Sequence, residues 1–386
     1  MQIAPKILKG FRDSFPDQEM RRRDTFASLE RTFRNHGFVP IDTPALEYRD
    51  VLLGKGGGET DKQVYAFRDN GDRDVALRFD LTVPFARYMA MYANQLSLPF
   101  KRYHIAKVWR GENTQKGRYR EFFQCDFDIV GLDVVEADFE ILLIIIDSLQ
   151  ALGLQQFTIR ISHRGLFNTY LQQLGIAGNS VEVLRIVDKL GKVGREKTVA
   201  MLREIVGEHS AEQIVAFISA GRAPDGSFLP HATVLRELER LTGPCEHLSR
   251  LELLFSYLQS IDAEQLVVLD PSITRGLDYY TGIVYETFLD PLPGIGSICS
   301  GGRYNNLASL YTKEHLPGVG ASIGIDRLLA ALEEPELLQQ RGETHYPQAD
   351  AIILCLDTAL FGYYQQIAAR LRASGIRTEV FLTPRK

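Results

Sequence analysis

The run Trp109-Arg110-Gly111-Glu112-Asn113-Thr114-Gln115-Lys116-Gly117-Arg118-Tyr119-Arg120-Glu121-Phe122-Phe123-Gln124-Cys125-Asp126-Phe127-Asp128 constrains this chain more than any other feature. It reads as strand, loop, strand. Arg110 and Glu112 sit two apart, so on an extended strand both side chains leave one face. The polar, glycine-containing residues from Asn113 to Gly117 interrupt the apolar pattern and predict a loop. Arg118 and Phe122 then return on one face of a second strand. A guanidinium placed there can clamp phosphate through two hydrogen bonds, and a ring can stack on a base.

The rest of the chain limits what can surround this hairpin. Its 386 residues exceed one ordinary core and predict roughly two to three domains. With 45% hydrophobic and 24% charged residues it has the balance of a folded globular protein. The longest aliphatic run, Ile141 to Ile146, falls far short of the ~18–20 apolar residues that span a bilayer. The start Met-Gln-Ile-Ala-Pro-Lys lacks a signal-peptide core, so a soluble, cytoplasmic protein is expected. Cysteines at 125, 245, 299 and 355 show no paired spacing, which predicts neither a disulfide framework nor a zinc site. The net charge of −5 argues against indiscriminate nucleic-acid binding but leaves room for local basic surface. Two such places are Arg21-Arg22-Arg23 and the cluster Lys189, Lys192, Arg195 and Lys197, although solvated helix faces explain each equally well.

The hairpin resembles motif 2 of class II aminoacyl-tRNA synthetases, whose pattern is Arg-x-Glu, a loop, then Arg-x-x-x-Phe-x-x-x-acid. Arg110, Glu112, Arg118, Phe122 and Asp126 fill every place. Upstream, Asp17 can cap a helix that continues to about Asn35, with Phe26, Leu29 and Phe33 as its apolar stripe and Gly37 as its stop. The following His36-Gly37-Phe38-Val39-Pro40-Ile41-Asp42-Thr43-Pro44-Ala45-Leu46 resembles motif 1, which implies a homodimer; read alone it is a proline-containing edge strand. Gly320-Ala321-Ser322-Ile323-Gly324-Ile325-Asp326-Arg327-Leu328-Leu329 resembles motif 3, with Ser322 and Asp326 where Gly and Glu are usual.

Two further segments point to the amino acid. Arg78-Phe79-Asp80-Leu81-Thr82-Val83-Pro84 is read as a strand that puts the Asp80 carboxylate and the Thr82 hydroxyl on one face, suited to an α-ammonium group. Thr274-Arg275-Gly276-Leu277-Asp278-Tyr279-Tyr280-Thr281-Gly282-Ile283-Val284-Tyr285 closely resembles a signature of histidyl-tRNA synthetases. The resemblance implies L-histidine, ATP with Mg2+, and the tRNA for histidine as partners, with no metal held by protein ligands alone. It gives Arg275 and Arg110 catalytic roles. ATP falls to Arg110, Glu112, Arg118, Phe122 and Arg327, and histidine to Asp80, Thr82, Gln124, Asp128, Tyr279 and Tyr280. A carboxylate and a phenol suit the two imidazole nitrogens, and a ligand lacking the ring N–H would leave buried acceptors unpaired.

The implied fold is α+β: a six- or seven-stranded antiparallel sheet of the class II kind, flanked by helices. Its expected layout is catalytic residues 1–155 and 266–335, a mostly helical insertion at 156–265, a linker at 336–345 and a partial α/β anticodon-binding domain at 346–386. That last piece spans about 41 residues, roughly half a complete module, so adenylate formation is expected to survive better than tRNA charging. Residues 53–60, rich in glycine, are read as a mobile lid. The competing reading is a non-catalytic histidine sensor resembling the regulatory subunit of ATP phosphoribosyltransferase, which the presence of Arg110, Arg275 and Arg327 disfavours.

Overall fold

The computed structural model describes residues 3–54, 63–114, 117–273, 279–335, 337 and 348–383, with the backbone alone at 191 and 192. Two compact units emerge: residues 1–13 with 24–340, and residues 14–23 with 341–386.

In chain order the elements begin α1 (Pro16–Asn35), β1 (Val39–Pro40), β2 (Leu46–Tyr48), α2 (Arg49–Leu53), β3 (Ala66–Arg68), β4 (Asp74–Leu77) and α3 (Thr82–Tyr92). The hairpin follows as β5 (Phe100–Trp109) and β6 (Glu121–Val130), then α4 (Val135–Ala151) and β7 (Phe157–His163). A helical run comprises α5 (Arg164–Gln173), α6 (Ser180–Val187), α7 (Leu190–Val193), α8 (Arg195–Ser219), α9 (His231–Thr242) and α10 (Glu246–Ser260). The sheet resumes with β8 (Val267–Leu269), β9 (Ile283–Leu289), β10 (Cys299–Arg303) and β11 (Gly318–Gly324), which runs straight into α11 (Ile325–Leu332). The smaller unit contributes β12 (Ala351–Ile353), α12 (Phe361–Ala373) and β13 (Thr378–Val380), a βαβ unit with parallel strands.

The large sheet has the order β1-β5-β6-β11-β10-β9-β7-β8. Its six middle strands are antiparallel, while the short outer strands β1 and β8 pair parallel to β5 and β7. Among the described residues eight strands therefore stand where six or seven were expected; the two extra ones are the brief parallel edges. Pro40 lies in one of them, where a missing N–H is tolerated. A finer correction concerns β7: expected to open the helical insertion, it is a full member of this sheet, paired with β9 from Phe157↔Leu289 to His163↔Ile283.

Alternation along the strands gives the sheet two unlike faces. Tyr103, Cys125, Phe127, Val319, Ala321 and Ile323 point to one side and join a core with Leu29 and Phe33 of α1 and Ile141, Ile144 and Ile145 of α4. The Phe33 ring lies 5.2 Å from Tyr103 and 5.1 Å from Phe127, within range of tilted aromatic contact. Gly37, at φ +77°, ends α1 in the left-handed conformation that suits glycine. The opposite face carries Arg102, His104, Gln124, Asp126, Asp128, Ser300 and Ser322, and it is this polar face that forms the site.

Candidate active site

Direct cross-strand pairing arranges the polar face into rows. One row reads Arg102, Asp128, Gly320, Gly302; the next His104, Asp126, Ser322, Ser300; the third Ala106, Gln124, Gly324. The first row is possible only with glycines. A Cβ on Gly320 would stand 2.1 Å from Asp128 Oδ1, and one on Gly302 would stand 3.0 Å from Tyr280 Cδ1. The two glycines thus cut a trough into the sheet floor between the Asp128 carboxylate and the Tyr280 ring.

Beyond the third row, Arg110, Glu112, Arg118, Phe122 and Arg327 line one cavity of about 190 Å³ together with Tyr119, Ser297 and Gln124. Arg110 lies just past the end of β5; its Nε donates to Phe79 O at 2.8 Å and its guanidinium sits 5.2 Å over the Phe122 ring. Arg327, in the first turn of α11, donates through Nη1 to Ser297 O. Burial pulls its guanidinium down to about 10, with the Arg118 and Arg110 charges acting in the same direction and Glu112 opposing. Three like charges facing one hollow are a liability without an anion and a binding site with one.

The histidine-assigned residues gather beside this cavity. Asp128 is buried, paired with Arg102 Nη2 at 2.7 Å through Oδ2 and accepting from the Tyr304 hydroxyl through Oδ1. Loss of hydration lifts its carboxyl to about 6 against the pull of Arg102. Tyr279 packs edge-on to Tyr280 at 5.0 Å and to Tyr304 at 6.0 Å, and burial pushes the Tyr280 phenol up, so it remains a donor at neutral pH. Gln124 Nε2 donates to Ser322 Oγ at 3.0 Å, and Thr82 Oγ1 donates to Asp126 Oδ2 at 3.3 Å.

Asp80 and Thr82 meet the site differently from the expected strand. Asp80 precedes α3 and accepts from Val83 N at 3.0 Å, while Thr82 is the first residue of that helix. The carboxylate satisfies one of the orphan N–H groups of the first turn, and Pro84 loses nothing by lacking its own. Burial raises the Asp80 carboxyl to about 6, with the Val83 N–H working the other way.

Arg275, together with the rest of residues 274–278, lies outside the described residues, as do 55–60 of the segment read as a lid. Three contributors went unread in the sequence. Arg102 is wholly buried beneath the site with its guanidinium 4.0 Å over Phe85, and Tyr304 reaches Asp128 across 176 positions. Arg12 pairs with Asp326 Oδ1 and lies 3.9 Å over Tyr119; the other Asp326 oxygen accepts from Phe123 N at 2.7 Å, bracing the strand that presents Phe122. Arg102 did carry a signal, since Arg102-Tyr103-His104-Ile105 alternates polar and apolar like the motif 2 strand. Contacts spanning 176 and 314 positions carry none.

A largely antiparallel sheet whose polar face holds a motif 2 hairpin and a motif 3 strand-to-helix arginine side by side defines the catalytic domain of a class II aminoacyl-tRNA synthetase. The sequence profile of the histidyl-tRNA synthetase family matches residues 10–328. A histidine–tRNA ligase of Treponema denticola is 51% identical over 387 residues, covering 100% of this chain and 85% of the relative. One from Rhodopirellula baltica is 47% identical over 389 residues, covering 100% and 86%. The crystal structure of histidyl-tRNA synthetase from Nostoc sp. PCC 7120 superposes with a TM-score of 0.85 at 30% identity, over 100% of this chain and 88% of that one. This chain belongs to the histidyl-tRNA synthetase family. A structure described as an ATP phosphoribosyltransferase regulatory subunit/histidyl-tRNA synthetase from Bacillus halodurans C shares the fold, with a TM-score of 0.79 at 23% identity over 98% and 93% of the two chains.

Proposed function

We propose that the chain activates L-histidine with ATP and then transfers the histidyl group to the 3′ end of its tRNA. In the first step a histidine carboxylate oxygen attacks the α-phosphorus; the new P–O bond forms as the bond to pyrophosphate breaks, leaving histidyl-adenylate. In the second, a terminal ribose hydroxyl of the tRNA attacks the acyl carbon and AMP leaves. The protein's share is positioning and charge neutralisation, which carry most of the catalysis in such transfers. Arg110, at the junction of the two subsites, takes the α-phosphate and the substrate carboxylate. Arg118 and Arg327 take the outer phosphates, while Phe122 and Arg327 sandwich the adenine, whose edge falls to Glu112. Asp80, Thr82 and Gln124 receive the α-ammonium, and Asp128, Tyr279 and Tyr280 the imidazole.

The observation that carries this reading is the convergence of Arg110, Arg118 and Arg327 with Phe122 on one cavity beside the glycine-floored trough at Asp128. Sequence identity near half over the whole chain to histidine–tRNA ligases supports the ligase over the sensor reading. Mg2+ supplies charge neutralisation on the phosphates. The half-buried Glu112, whose carboxylate lies 3.8 Å from the Arg110 guanidinium at the cavity rim, suits a cation held chiefly by phosphate oxygens. Among the described residues no cluster of three His, Cys, Asp or Glu side chains is placed to hold a metal without them.

The tRNA acceptor end is assigned to the helical run α5–α10, and the smaller unit to the anticodon side. Exposed Val39, Leu46 and Tyr48 in the motif 1 region support a homodimer. A cytoplasmic setting follows from tRNA as substrate; among the described residues no helix is long and apolar enough to cross a membrane. The test is histidine-dependent ATP–pyrophosphate exchange. The wild-type chain should exchange label only when histidine is present, and Arg275→Ala should abolish most of that exchange while retaining its melting temperature. Histidine binding without exchange in the wild type would turn the reading to the sensor.

A further inference from the structure

Gln124, Asp126 and Asp128 alternate along β6 and all face the site, yet only the outer two have a role so far. Asp126 is 2% exposed, as deep as Asp80 and Asp128. Its Oδ2 accepts from Thr82 Oγ1 and the Ser322 hydroxyl also steadies the carboxylate, but its Oδ1 is left without a hydrogen-bond partner. Asp80 Oδ2 and Gln124 Oε1 are in the same condition. Buried acceptors left unmade are rare in folded proteins, and three on the side chains around the polar face call for a ligand with donors to spare. A primary ammonium group carries three N–H donors and no acceptor. The carboxamide nitrogen of Gln124 is already committed to Ser322 Oγ, which turns Oε1 the other way. The Thr82 proton is likewise committed to Asp126, which leaves the Thr82 oxygen only lone pairs to offer a cation.

Charge points to the same ligand. Asp80, Asp126 and Asp128 are three buried carboxylates, and the wholly buried cation among them, Arg102, is paired with Asp128. Burial raises the Asp126 carboxyl, with the Arg102 charge and hydrogen bonds from Ser322 and Thr82 opposing. The Asp126 charge raises the Asp80 carboxyl further. An incoming positive charge relieves both.

Resting on the reading of the site as a histidine-activating one, we infer that Asp126 is a further substrate-binding residue. Its Oδ1 accepts an N–H of the histidine α-ammonium beside Asp80 Oδ2 and Gln124 Oε1, and its Oδ2 holds the Thr82 proton so that the Thr82 oxygen faces the same cation. Asp126 thereby distinguishes an α-amino acid from the corresponding α-hydroxy or deamino acid.

The test is the isosteric Asp126→Asn in the full chain, with kinetics of histidine-dependent pyrophosphate exchange and calorimetry for histidine, histidinol and ATP. Because burial already disfavours the Asp126 charge, the amide should fold with an unchanged or higher melting temperature; Asp126→Ser serves if it does not. The expected result is a rise of roughly 10- to 100-fold in the KM for histidine and in the dissociation constant for histidinol, which keeps the ammonium, as for loss of a charged hydrogen bond. The KM for ATP should stay within about threefold. Imidazole-lactate, which bears a hydroxyl in place of the ammonium, should gain on histidine as a competitor in the variant. A histidine KM within about threefold of wild type, or an equal rise in the KM for ATP, overturns the role of Asp126. Failure of the wild-type chain to exchange overturns the histidine-activating reading itself, so the two failures are separable.

Discussion

Replacing Gly320 with alanine tests the trough directly. The added Cβ would meet Asp128 Oδ1 at 2.1 Å, Asp128 Cγ at 2.5 Å and Phe127 O at 2.6 Å. The last of these is backbone of the neighbouring strand and cannot turn aside, so full relief requires β6 and β11 to part; swinging Asp128 out clears only the first two contacts. The first route is overpacking, at about 1–3 kcal/mol. The second strips Arg102, wholly buried, of its partner, which for a buried ion pair costs about 3–5 kcal/mol. The cheaper route wins, so Gly320→Ala should lose about 1–3 kcal/mol in urea unfolding. A shift of a few tenths of an ångström at Asp128 should also weaken histidine by about tenfold or more, since positioning errors of this order are costly. Gly324 is the control on the same strand: its Cβ would reach Ile298 O at 3.7 Å, an ordinary contact, so Gly324→Ala should cost less than about 0.5 kcal/mol. Equal unfolding midpoints and equal histidine affinities for the two variants would refute the claim that the trough is glycine-dependent.

Two further outcomes are expected. The Asp128 carboxyl, lifted from 3.8 to about 6, binds its proton more tightly folded than unfolded, so it destabilises the ligand-free protein above pH ~6 and ceases to do so as pH falls toward 4. Whatever Asp128→Asn loses by depriving Arg102 of its partner, its stability relative to wild type in urea melts should rise by up to about 3 kcal/mol between pH 4 and pH 7, and a flat difference contradicts the burial argument. Arg12→Gln removes the cation that pins Asp326, and a part-exposed pair worth about 1 kcal/mol implies a rise of about fivefold in the KM for ATP with that for histidine unmoved; equal effects on both would make Arg12 a general brace.

What could be read from the sequence was whatever repeats locally. The helix ending at Asn35 and the stop at Gly37 follow from one apolar stripe and one glycine. The hairpin β5–β6 follows from alternation, and so does the βαβ unit at β12–α12–β13. The Asp80 segment was misread because Leu81-Thr82-Val83 has the β-branched look of a strand. The competing signal was present: an aspartate three residues ahead of a free N–H, with a proline in the first helical turn. The floor of the site was illegible for a different reason. Gly302 and Gly320 face each other only because β10 pairs with β11, and Arg102 meets Asp128 only because β5 and β6 run in this register. Tyr304 and Arg12 act across separations of 176 and 314 positions that no local pattern encodes.

The strand carrying Asp126 and Asp128, β6, has one neighbour close in sequence and the other nearly two hundred positions further on. While the ribosome is still at work, the outer flank of β6 must therefore wait for β11, roughly ten to forty seconds at ordinary elongation rates, with its backbone groups open to any passing chain. A nascent chain halted ahead of Gly318 has neither Gly320 of the trough nor Arg327, so the polar face is complete only once the whole sheet has closed.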